Sequence, residues 1–198
     1  MLHSPLKETE SDYLISSRRQ RCKDILARED LNEEGLIEFY IALHVVLEVG
    51  LNALLRHLAL WHAQSFFDKA EIIDQVDDVN FKDKVAIFLY HAQFDFVDQH
   101  QDVEKHHDIL KKIVHFSEIR NELLHGHAIS TFILDGKSQD SDVRRKMNQA
   151  TLTQQINLFK DIIRGMHFFL DHLIDSPKEK IDKEGLKNKY LDIEFLGK

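Results

Sequence analysis

Apolar residues recur at spacings of three and four along four segments of the chain: 33–67, 81–98, 103–125 and 153–175. That period places them on one face of a helix, where they can pack on a common core. Residues 7–30 read as a fifth and more polar helix. The two prolines and seven glycines are too few for a turn-rich β fold. We therefore predict an all-α fold, an antiparallel helical bundle of four to six helices.

Other stretches break this pattern. Residues 128–134 are rich in Ile, Thr and Phe and precede a turn signal at Asp135-Gly136, so we expect at most a short β-hairpin there. The polar residues 138–142 are expected to form a mobile loop. Residues 99–103 are expected to separate two helices, and the acidic residues 68–80 are expected to form a loop or a short helical turn.

The helical domain is predicted to span residues 1–176 and to end before Pro177. Residues 177–198 mix charged and apolar residues, which suits either a short docking helix or an extended tail. The last long helix is expected to start at Thr151 or Thr153, because a threonine hydroxyl can cap a helix.

A polar stripe interrupts the longest apolar segment. His44, Glu48, Asn52 and Arg56 recur every fourth residue, which makes the segment a poor transmembrane span, and no membrane association is expected. Because unpaired polar groups are costly to bury, two interpretations remain open. The stripe is either paired internally, with Glu48 reaching its neighbours one turn away, or it borders a cleft. His44, Glu48 and Asn52 are therefore candidate cleft-lining residues.

Charge and cysteine content limit the classes of function. The 198 residues suit one domain, and their net charge of −8 argues against a surface that coats nucleic acid, although it allows a local basic cleft. Two basic runs, residues 18–23 and 144–146, are expected to be solvated surface. The single Cys22 excludes an intramolecular disulfide. With no signal-peptide pattern at the start, we expect a cytoplasmic protein.

The most specific chemical signal lies in residues 116–127. Arg120 is followed by Asn121 and is separated by four residues from His125, which Gly126 follows as a helix C-cap. Asn121 and His125 share one helix face, while Arg120 lies about 140° around from the histidine, an angle that its long side chain can bridge. Arginine offers two donors to one phosphate, and a histidine at a helix C-terminus favours its protonated form. These groups suit metal-free cleavage of a phosphodiester.

This pattern resembles the signature of the HEPN superfamily, all-helical domains in which an arginine, often followed by a polar residue, is separated from a histidine by four to six residues. The matching positions are Arg120, Asn121 and His125. The resemblance implies a metal-independent endoribonuclease that acts at a dimer interface on RNA. It also implies a toxin of a toxin–antitoxin or phage-defence system, with a nucleotidyltransferase-like protein as the expected antitoxin. A polar or acidic residue facing the motif from the longest helix would fit the family.

Two other classes of function compete with this interpretation. One is a non-catalytic HEPN-like module that binds a nucleotide, RNA or a partner protein. The other is a metal-dependent bundle enzyme, since the chain has thirteen histidines. Its two Glu-X-X-His spacings, which start at Glu104 and Glu122, lie on one predicted helix about 27 Å apart and cannot share one site within a chain. We therefore expect no metal and no cofactor.

Overall fold

The computed structural model describes residues 5–62, 79–93, 99–124, 131–134, 137–171 and 182–197. These ranges contain seven α-helices, a two-stranded antiparallel sheet and a 3₁₀ turn at Glu194–Leu196. The helices are α1 (Pro5–Leu26), α2 (Glu33–His62), α3 (Phe81–Gln93), α4 (Gln99–Leu124), α5 (Asp142–Arg145), α6 (Gln149–Asp171) and α7 (Lys183–Tyr190). The strands are β1 (Thr131–Leu134) and β2 (Lys137–Asp140).

The predicted all-α class is confirmed. Of the described residues, 82% are helical, against about one third in an average globular protein. Within the described ranges, one hairpin pairs β1 with β2 where the sequence predicted it, and its register places Leu134 opposite Lys137. The described helices exceed the predicted four to six by one, because α5 is too short to show apolar periodicity.

Three predicted boundaries are wrong. α4 begins at Gln99, so residues 99–103 belong to the helix, and they contain no glycine or proline that would stop it. Residues 138–142 are ordered by strand pairing and by Ser141, whose hydroxyl accepts a hydrogen bond from the Arg144 amide at 3.2 Å. The cap of α6 is Asn148, which accepts from the Thr151 amide at 2.9 Å, rather than either predicted threonine.

α2 is the central helix of the core. Its buried side includes Phe39, Leu43, Leu47, Leu51 and Leu54, each at most 1% exposed. The helix packs against α1, α3, α4 and α7. The stretch Glu33–His57 is long and apolar enough to span a membrane, but 61% of its most apolar window is buried inside the molecule, as in the core helix of a soluble protein.

The described part of the C-terminal segment packs into the same core. Asp182 caps α7 by accepting from the Gly185 amide at 2.9 Å, so of the two open alternatives the chain adopts a docked helix. Tyr190 lies 1% exposed, with its hydroxyl 3.2 Å from His57 Nε2. The backbone approaches α2 so closely that a Cβ on Gly50 would stand 2.6 Å from the Tyr190 carbonyl oxygen. The predicted domain boundary at residue 176 lies outside the described residues.

Candidate active site

The last turns of α4 position the arginine and the asparagine of the motif. The apolar side of the helix faces the core through Ile109, Ile113, Phe116 and Ile119, each at most 4% exposed. This confirms the predicted periodicity. Arg120 follows directly, with 32% of its side chain exposed, and Asn121 is exposed. The helix therefore anchors the motif on a rigid face while presenting both polar side chains at the surface.

The Arg120 guanidinium is held from two sides. Its Nη1 donates a hydrogen bond to Asn121 Oδ1 at 3.0 Å. Its Nη2 lies 3.8 Å from Glu48 Oε2 on α2. Asn121 therefore orients the arginine. Whether it also orients a phosphate or the His125 imidazole stays a prediction.

At Glu48 the stripe on α2 faces the motif helix. The carboxylate is 3.7 Å from His44 Nδ1 on its own helix, and it also reaches Arg120 on α4. The expected proximity of the stripe to the motif helix is thus confirmed. Asn52, one turn further on, differs: its Oδ1 is buried and has no hydrogen-bond partner in the described part of the chain.

His44 lies beneath this pair in an aromatic pocket. Its ring is 2% exposed, stacks on Phe116 at a centroid distance of 5.7 Å and packs against Phe81 at 4.8 Å. Burial and, to a smaller extent, the positive charge of Arg120 lower the pKa of His44 to about 4. The imidazole is therefore neutral near pH 7, and its Nε2 lies 3.4 Å from Ser117 Oγ.

His125, the third member of the predicted catalytic set, lies outside the described residues, as do Gly126 and His127. The predicted helix cap and the predicted Arg120–His125 approach stay predictions. Among the residues that the structure does describe, no three His, Cys, Asp or Glu side chains come together as a metal site would require.

Two contacts of the motif helix were not predicted from the sequence. The first is made by Ser117, which precedes Asn121 by one turn and therefore shares its helix face. Glu122 receives both of its contacts from Lys146 Nζ, at 2.6 and 2.8 Å. That pair joins α4 to the turn after α5, and nothing in the spacing of two residues so far apart pointed to it.

The cations of the basic runs are exposed or half-buried, as expected of solvated surface, and several of them also contact neighbouring groups. Arg21 pairs with Glu38, and Arg19 donates to the Lys189 carbonyl at 3.0 Å. Arg144 lies 3.6 Å from Asp140, and Lys146 binds Glu122 as described. These cations are therefore partly neutralised by neighbouring groups, which makes either run a weak general binding surface for RNA.

No protein-family model, curated protein or solved structure matches this chain significantly. The resemblance to HEPN domains therefore rests on the residues of the motif and on the all-helical surroundings. It stays a prediction.

Proposed function

We propose that this chain is a metal-independent endoribonuclease of the HEPN type. The observation that supports it best is the arrangement around Arg120. A guanidinium is held by an amide and faces a carboxylate at a partly exposed helix end, with four residues between this arginine and a histidine. A preorganised arginine of this kind can bind a phosphate bidentately and stabilise the charge that develops on it.

In the proposed reaction the ribose 2′-hydroxyl attacks the adjacent phosphorus, and the bond from phosphorus to the 5′-oxygen breaks. Arg120 stabilises the charged phosphorane, and Asn121 holds the guanidinium in place. His125 transfers a proton as general acid or base. The products are a 2′,3′-cyclic phosphate and a 5′-hydroxyl end.

An in-line displacement needs proton transfer on opposite sides of the phosphorus, and each chain supplies a single motif histidine. In the form that the resemblance implies, a symmetric homodimer brings residues 120–126 of two chains together, so that the partner supplies the second histidine. The same resemblance supports a role as a toxin restrained by a nucleotidyltransferase-like antitoxin.

The test is cleavage of RNA by purified protein in the presence of a chelator. We expect His125→Ala to lower the rate by about 10²- to 10⁴-fold, because it removes a proton carrier. Arg120→Ala should cost about 10²- to 10³-fold, as losing one electrostatic donor typically does. Matched controls are His115→Ala and Arg164→Ala, two exposed residues outside the motif whose loss should leave the rate unchanged.

Equal cleavage by wild type and both motif variants would contradict the proposal. A folded protein that cleaves no RNA would instead support the rival function, a non-catalytic module that binds a nucleotide, RNA or a partner protein. Size-exclusion chromatography with light scattering tests the dimer separately. A protein that is monomeric but active would contradict only the proposed dimer.

A further inference from the structure

Glu48 is placed next to the proposed phosphate site by two separate contacts. Its Oε2 lies 3.8 Å from Arg120 Nη2 and 3.7 Å from His44 Nδ1. Both distances exceed the 2.7–2.9 Å of a closed charge-assisted hydrogen bond. The carboxylate therefore stands beside the guanidinium without occupying its donors, and 29% of its side chain remains exposed.

We propose that Glu48 is the general base of the cleavage reaction, which takes the proton from the ribose 2′-hydroxyl. This inference rests on the proposed function. It makes Glu48, instead of a histidine from a partner protomer, the second group that transfers a proton. In a reactive ribose phosphate the attacking oxygen lies about 3–3.5 Å from phosphorus. An arginine and a carboxylate less than 4 Å apart can therefore contact the phosphate and the 2′-hydroxyl of one nucleotide.

The step balances within one chain. The 2′-hydroxyl gives its proton to the Glu48 carboxylate while its oxygen forms the new bond to phosphorus. The bond from phosphorus to the 5′-oxygen breaks, and that oxygen takes a proton from the acid of the proposed function, His125. A second histidine from a partner protomer is then not required by the chemistry.

Other described groups near Arg120 suit this role less well. His44 is titratable but only 2% exposed, so a substrate hydroxyl has no access to its ring. Both oxygens of Glu122 accept from Lys146 at 2.6 and 2.8 Å. Glu118 lies further back on α4 and pairs with His115 at 3.0 Å.

Arg120 on α4 and His44 on its own helix are the described titratable groups nearest to the Glu48 carboxylate in the contacts given above, and α3, which packs against both helices, carries the buried Lys84. Near pH 7 the His44 ring is neutral, so Arg120 supplies the positive charge beside the carboxylate.

The test compares the pH dependence of single-turnover RNA cleavage, in a chelator, between wild type and Glu48→Gln. The amide keeps the shape of the side chain but cannot accept the proton. We expect the rate to fall by about 10²- to 10⁴-fold and the acidic limb of the profile, which reports ionisation of the base, to disappear. Formate added to Glu48→Ala should restore part of the rate, which a merely structural role would not allow.

The matched control is Glu38→Gln, the same change on the same helix at a residue that pairs with Arg21 and Arg28. It should keep the wild-type rate and profile. If Glu48→Gln keeps its acidic limb, or cleaves faster because Arg120 is freed of a competing counter-ion, the base assignment is overturned while the ribonuclease stands. If the wild type cleaves no RNA, both proposals are overturned together.

Discussion

His44 shows how one residue links the core to the candidate site. Its ring packs against Phe81 and Phe116, and its two nitrogens face Glu48 and Ser117. Charging an imidazole in that pocket would separate a cation from water and place it near Arg120. The protein therefore folds around the neutral ring, which makes its stability sensitive to acid.

The sign of this pH dependence of stability follows from the lowered pKa of His44. An unfolded histidine takes up a proton below about pH 6.5, whereas folded His44 does so only near pH 4. The contribution of the neutral ring is complete above pH 6.5 and is lost as the pH falls towards 4. Burial also lowers the pKa of His167, which adds a dependence of the same sign.

We expect the free energy of unfolding to fall between pH 7 and pH 4.5 by roughly 2 kcal/mol more in the wild type than in His44→Gln. Urea denaturation at the two pH values measures it. The control is His115→Gln, an exposed histidine on α4, which should retain the wild-type dependence. A His44→Gln variant with the same loss on acidification would show that another group is responsible.

The ion pair between Glu48 and Arg120 contributes little to stability by itself. Both side chains are about one third exposed and their nearest atoms are 3.8 Å apart, so the pair is worth at most about 1 kcal/mol. Substituting either residue should therefore leave the fold intact. A loss of cleavage in such a variant can then be assigned to chemistry.

At the scale of elements, α2 shows which contacts the sequence pattern can predict. Its polar stripe placed His44 and Glu48 on one face, and the structure puts that face against α4. Periodicity alone could not choose between local pairing and a cleft, because that choice depends on which helix lies opposite. It likewise could not anticipate the Glu122–Lys146 pair, which depends on how the chain turns after the hairpin.

The C-terminal segment was harder to predict because its apolar residues are few and irregularly spaced. Its role depends on partners from distant parts of the chain. Phe195 packs edge-on against Phe159 of α6 at a centroid distance of 5.9 Å, and Arg19 of α1 lies 5.7 Å from its ring. The segment thus ties the first and last long helices together.

We expect Phe195→Ala to destabilise the protein by about 3–5 kcal/mol, since Phe195 is only 4% exposed and its loss leaves a cavity between α1 and α6. Tyr13→Ala is the control, because this aromatic side chain of α1 is 76% exposed and should be nearly neutral. Thermal unfolding, monitored by circular dichroism, compares the two variants. Equal midpoints would show that the segment does not stabilise the core.

At the scale of the whole molecule, charge separates a local site from a general binding surface. The chain carries a net charge of −8, and the described cations of its basic runs are largely engaged with neighbouring groups. Such a surface should not hold RNA along its length. Any productive contact is therefore expected where α2 meets the end of α4, since Arg120 is partly exposed there.

Our principal proposal is that the site around Arg120 cleaves RNA through the ribose 2′-hydroxyl without a metal ion. It is tested most directly by a DNA oligonucleotide with a single ribonucleotide, incubated with purified protein in a chelator. The oligonucleotide should carry labels at both ends, and its products should be resolved by mass.

We predict a single cut, on the 3′ side of the ribose, that leaves a 2′,3′-cyclic phosphate, with no cut in the all-DNA oligonucleotide. The Arg120→Ala variant should remain folded and make this cut about 10²- to 10³-fold more slowly. Cleavage of the all-DNA oligonucleotide, or an intact ribose-containing substrate when all-RNA substrates are intact as well, would contradict it.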